Sequence, residues 1–103
     1  MQVAGIQPFL KGLVIAVLFS LMACETTPPA QEMSDARQAI AVAKEAGAED
    51  LAAFHLQAAE EYLETAKKAL NDGRYSEARR NAKHAKMKAL DALKEAEASN
   101  KVP

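Results

Sequence analysis

Between Ala52 and Leu70 the apolar residues recur at alternating spacings of four and three: Ala52, Leu56, Ala59, Leu63, Ala66 and Leu70. From Tyr75 the cadence returns through Ala78, Ala82, Ala85, Ala89, Ala92 and Ala96. A 3.5-residue repeat is the seam of helices that wind left-handedly around one another. Asn71-Asp72-Gly73 lies between the two runs and is a strong helix stop. The pattern therefore predicts an antiparallel hairpin with helices over 49–71 and 76–98. A shorter stripe, Met33, Ala36, Ile40 and Ala43, predicts a first helix over 34–46. Ser34 suits its N-cap, Asp35 its first turn and Gly47 its C′ position, while Glu49 and Asp50 suit the positive end of the next helix.

The fold class read from this is all-α: a short helix plus a long, Ala-rich antiparallel hairpin, a three-helix bundle. One hairpin seam alternates Leu with Ala and the other is nearly all Ala, so the two backbones should approach closely. The first helix is expected to pack on a second stripe formed by Leu51, His55, Ala58, Tyr62, Leu90 and Leu93. Being about half as long as its partners, it should cover only the end of the hairpin away from Gly73. That would leave an Ala-lined groove at Leu63, Leu70 and Tyr75, which with Met87 forms the candidate contact surface. Phe54, off the seams, is expected to cover the end of the first helix. Glu60, Glu61 and Glu64 should lie alongside Arg79, Arg80, Lys83 and Lys86 and so set the hairpin register.

The N-terminal segment breaks the helical pattern and gives an address. Gly12 to Met22 is an apolar run of 11 residues behind the single basic residue Lys11. About 18–20 residues are needed to span a bilayer, so the run has the proportions of a signal-peptide core. The chain's one cysteine follows directly, in Leu21-Met22-Ala23-Cys24. A single Cys excludes an internal disulfide framework or a CxxC zinc site. The four residues resemble the lipobox of bacterial lipoproteins. The resemblance implies cleavage between Ala23 and Cys24, a diacylglyceryl thioether and an N-acyl group on Cys24, and anchoring in membrane lipid. Two acyl chains give stable anchoring where one does not. Glu25 is not the Asp that retains enterobacterial lipoproteins in the inner membrane, which implies the outer membrane, facing the periplasm. Cleavage leaves 80 residues, and the loss of Lys11 takes the formal charge from −1 to −2. Residues 1–23 are thus read as signal peptide, 24–33 as lipidated Cys and tether, 34–98 as the helical domain and 99–103 as tail. Glu25 to Gln31, with Pro28 and Pro29, reads as an extended tether at ~3.1 Å per residue, holding the domain roughly 20–25 Å from the lipid.

Gly73, Tyr75 and Ala78 match the G-x-Y-x-x-A turn of a tetratricopeptide unit, with Ala82 and Ala85 after it and Tyr62 and Ala66 before it. The large aromatic usual near Ala82 and the closing Pro are missing, so the hairpin resembles such a unit without forming an array. A broader likeness runs from Met33 to Ala92. Ala36, Ala39-Ile40, Ala43, Ala46-Gly47-Ala48, Leu63, Ala66, Leu70, Gly73, Tyr75 and Ala78 resemble the small lipoprotein domain catalogued as domain of unknown function 4398. That resemblance implies an envelope lipoprotein, often beside OmpA-like partners, with no assigned chemistry.

Little in the chain points to catalysis. His55 and His84 are the only histidines; the register puts His84 near Tyr62, about two turns from His55, too far to share a metal. No nucleophile–base set or phosphate loop is visible, so neither an enzyme, a metal, a cofactor nor a small-molecule substrate is expected. The near-neutral charge argues against nucleic acid. The function expected is that of a lipid-anchored, non-catalytic helical adaptor or structural protein with a protein partner or a second copy of itself. One alternative is a direct binder of peptidoglycan or lipopolysaccharide through Arg79, Arg80 and Lys83. Another is an Ala-rich spacer like murein lipoproteins, which would need an unbroken helix and a terminal Lys, whereas this chain has Gly47, Gly73 and a non-terminal Lys101.

Overall fold

The computed structural model describes residues 27–101, and these form an all-α bundle. The elements are α1 (Ala30–Glu45), the single turn α2 (Ala48–Leu51), α3 (Ala53–Asn71) and α4 (Tyr75–Asn100). The long hairpin of α3 and α4 stands as the repeat predicts. All six buried residues of α4 are alanines on the 4–3 cadence, from Ala78 to Ala96. Among the described residues fourteen of the buried apolar side chains are alanine, the others being Pro29, Met33, Ile40, Leu56 and Leu63. A methyl group keeps neighbouring backbones close, so the core is a zipper of small contacts. Among the described residues no polar side chain is buried.

The first helix starts earlier than the sequence pattern suggests. Pro29, not Ser34, occupies the N-cap position. Its carbonyl accepts the Met33 N–H at 3.0 Å, the first bond of the helix. Pro29 and Met33 are the two largest side chains buried completely. Residues 30–33, read as tether, are therefore helical. Pro29 lies four residues before Met33 on the same stripe, a spacing that the Pro-Pro composition masks.

The longer α1 changes what it covers. At its start, the Arg79 guanidinium donates to the Thr27 carbonyl at 3.0 Å and lies 3.4 Å from the Glu32 carboxylate. At its end, Asn100 donates to the Ala46 carbonyl at 3.2 Å. Thus α1 runs parallel to α4 and antiparallel to α3, where Lys44 pairs with Glu60 at 2.9 Å. The chain enters beside Arg79, six residues past Gly73, so α1 reaches farther toward the turn than expected without extending to it. The expected groove is closed only in part: Leu63 is 8 % exposed and belongs to the core, while Leu70 and Tyr75, nearer the turn, are half-buried. The expected second stripe is also corrected, for Leu51 and Leu90 stay exposed while Leu93 packs against the core.

Two glycines turn the chain, both with positive φ: Gly73 at +76° and Gly47 at +89°. At Gly73 the Arg74 N–H reaches the Ala69 carbonyl and the Gly73 N–H the Leu70 carbonyl, a Schellman closure. Gly47 opens into α2 instead. After that one turn, Ala52 leaves helical geometry (φ −146°, ψ 43°) before α3 begins. The expected continuous helix over 49–71 is therefore two pieces. Ala48 and Ala52 are both buried at this corner, and a straight helix gives way to their packing.

Candidate functional site

The stretch Arg79-Arg80-Asn81-Ala82-Lys83-His84-Ala85-Lys86-Met87-Lys88 carries five basic residues and no carboxylate. On α4 the core alanines turn one face inward, which leaves Arg80, Lys83, His84 and Met87 exposed. Met87 is 60 % exposed. With Ser76 and Arg79 these four line a shallow groove of about 410 Å³ on the outer side of the helix.

The expected pairing of this row with the glutamates of α3 does not form. Glu60 pairs with Lys44 of α1, and Glu64 with Lys67 one turn along its own helix at 2.8 Å. The hydrogen bond to Lys67 holds the Glu64 carboxyl below its ordinary value, and the one to Glu60 holds Lys44 above its own. Arg79 is occupied by Glu32 and Thr27. Among the described residues, Arg80, Lys83, Lys86 and Lys88 have no carboxylate partner. The reason is geometric. Arg79 is turned toward α1 while Arg80 and Lys83 point away from the bundle, so hairpin register alone cannot bring them to Glu60 or Glu64.

The remaining apolar surface is scattered. Phe54 is 81 % exposed and does not cover the end of α1; its ring meets His55 edge-on at 5.7 Å. It borders a groove of about 360 Å³ with Ala58, Glu61, Tyr62, Thr65 and Lys88. Tyr62 stacks on His84 with centroids 5.2 Å apart, the neighbours that the antiparallel register predicts. Half-buried His55 has Nε2 3.3 Å from Glu95, and its buried Nδ1 has no partner. Among the described residues no cluster of His, Cys, Asp and Glu could hold a metal. None of the described helices is long and apolar enough to cross a membrane. The segment read as a signal peptide, the lipobox-like Leu21, Met22, Ala23 and Cys24, and Val102 and Pro103 lie outside the described residues.

Residues 31–101, more than two thirds of the chain, match the model of the family described as Domain of unknown function (DUF4398). The chain belongs to this family. The match begins at Gln31, in the first turn of α1, and ends at Lys101, just past α4. It thus takes in the whole bundle except Ala30. Neither the curated proteins nor the solved structures gave a match to the chain.

Proposed function

We propose that the protein is a lipid-anchored component of the bacterial cell envelope, tethered through Cys24 in the outer membrane. Facing the periplasm, it acts as a non-catalytic helical adaptor or structural element. The observation that carries this reading is the position of Cys24. It follows an 11-residue apolar run in a lipobox-like tetrad, and only two residues separate it from Thr27, which Arg79 holds.

Growth with a clickable palmitate analogue tests the anchor. The expected result is a labelled band, shortened by the leader, that sediments with outer membranes. Cys24→Ala should abolish the label and leave an uncleaved precursor. Full processing of Cys24→Ala with no label on the unchanged chain would overturn the reading. Partner contact is tested by a photo-crosslinking residue at position 54, which should capture one discrete envelope protein or a second copy of the chain.

A further inference from the structure

We propose that the outward row of α4, Arg80, Lys83 and Met87, docks the bundle on the anionic phospholipid headgroups of the membrane that holds Cys24. The proposal rests on the anchor reading and adds an orientation to it. Two independent observations converge. The first is unspent charge. Five cations lie between Glu77 and Asp91 and only Arg79 meets a carboxylate; Glu60 and Glu64 pair instead with Lys44 and Lys67, and Arg80 and Lys83 are exposed on the outer side of α4. Unpaired cations on a helix flank, with an exposed Met between them, make a surface that fits phosphate at the level of the headgroups and a thioether at the acyl boundary.

The second is reach. The chain is fixed from Thr27 onward by Arg79, and Pro29 is buried. Three residue steps from Cys24 to Thr27 extend at most about 11 Å. A tether beginning the domain at residue 34 would hold the row well clear of the surface, whereas this one holds it against the headgroup layer. Arg79 is the residue that joins the two: it grips the incoming chain, and the next residue along α4 opens the unpaired row. Peptidoglycan or lipopolysaccharide could use the same cations, but the short tether favours the lipid that is already adjacent.

The test uses the full chain, expressed, processed and reconstituted into vesicles of neutral phosphatidylcholine, with or without one third phosphatidylglycerol. Since Cys24 carries the lipid, a fluorophore goes on Met87→Cys or, as a control exposed on α1, Ala41→Cys. Quenching by headgroup-labelled lipid reads distance. Quenching at position 87 should appear with phosphatidylglycerol, exceed that at position 41 and disappear at high salt. Each Lys or Arg at an anionic surface is worth about fivefold in binding, so Arg80→Glu with Lys83→Glu should shift docking by about 25-fold or more. Both side chains are exposed, so that variant keeps the fold. Equal quenching at 87 and 41, or no response to the double substitution, overturns the proposal. So does shielding of position 87 by soluble peptidoglycan fragments but not by lipid. Retention of the chain on purely neutral vesicles reads the anchor separately: its loss sinks the anchor, while retention without charge-dependent quenching sinks only the docking.

Discussion

The two ends of the bundle solve the same problem differently. At the Gly73 end the chain reverses in a tight glycine closure, and α1 arrives with Pro29 and Met33 buried and Arg79 clamped on Thr27 and Glu32. At the Gly47 end it takes three steps: a left-handed glycine, one helical turn and the irregular Ala52. There Leu51 and Phe54 stay exposed, and the end of α4 is joined to α1 through Asn100. The Gly73 end is held by large buried side chains and an ionic clamp. The Gly47 end is held by buried alanines and Leu56, and the ion pair it carries on α1, Lys44 with Glu60, is more exposed than that of Arg79. Stability should therefore be concentrated at the Gly73 end, where the described chain begins at Thr27.

The sharpest way to break this contrast is to truncate one apolar residue from each end. Met33→Ala should cost about 2–5 kcal/mol, the usual range for a buried methionine. Leu51→Ala, at 37 % exposure, should cost under about 1 kcal/mol. Urea denaturation measures both, and equal costs would dissolve the distinction. The glycines should refine it by failing to differ. A Cβ at Gly73 meets nothing within 4 Å, and one at Gly47 makes ordinary contact with Leu51 at 3.5 Å. Both Ala variants should then show only left-handed strain, about 1–2 kcal/mol each; a much larger loss at one site would reveal packing that its open space does not suggest.

The polar clamps come next. Arg79→Ala should cost about 1 kcal/mol and accelerate amide exchange in residues 30–36 selectively. Asn100→Ala, with one exposed hydrogen bond, should stay within about 0.5 kcal/mol. Uniform exchange after Arg79→Ala would mean that the start of α1 is held by Pro29 and Met33 alone.

The smallest effect is that of pH. Lys44 is raised above its ordinary 10.5 by Glu60, so its contribution is complete below 10.5 and is lost as pH rises through the raised value. Glu64 is lowered below 4.5 by Lys67, so its contribution holds above 4.5 and is lost as pH falls through the lowered value. Both groups are exposed, so Tm should be flat between these limits and decline gently beyond them. Lys44→Met should remove part of the alkaline decline and leave the acid limb unchanged.

What was legible in the chain follows from how local each signal is. The Ala cadence of α4 and the Asn71-Asp72-Gly73 stop are short-range patterns, and both stand in the fold with Ala78 to Ala96 buried. The Tyr62–His84 neighbourhood follows from that register alone. The start of α1 was hidden because two prolines signal extended chain by composition, although the second is spaced as a core residue before Met33. For the cationic row, the sequence supplied the five residues and tertiary structure decided that most stay unpaired.

By itself, then, the sequence determined the helical class, the hairpin and its register, because periodicity and turn glycines act within a few residues. Only the tertiary structure decided that Ala52 breaks its helix, that α1 closes the groove at Leu63, and that Arg79 spends its charge inward while Arg80 and Lys83 do not. Those outcomes depend on which helix lies beside which, a competition among distant alanine faces and carboxylates that no local pattern encodes.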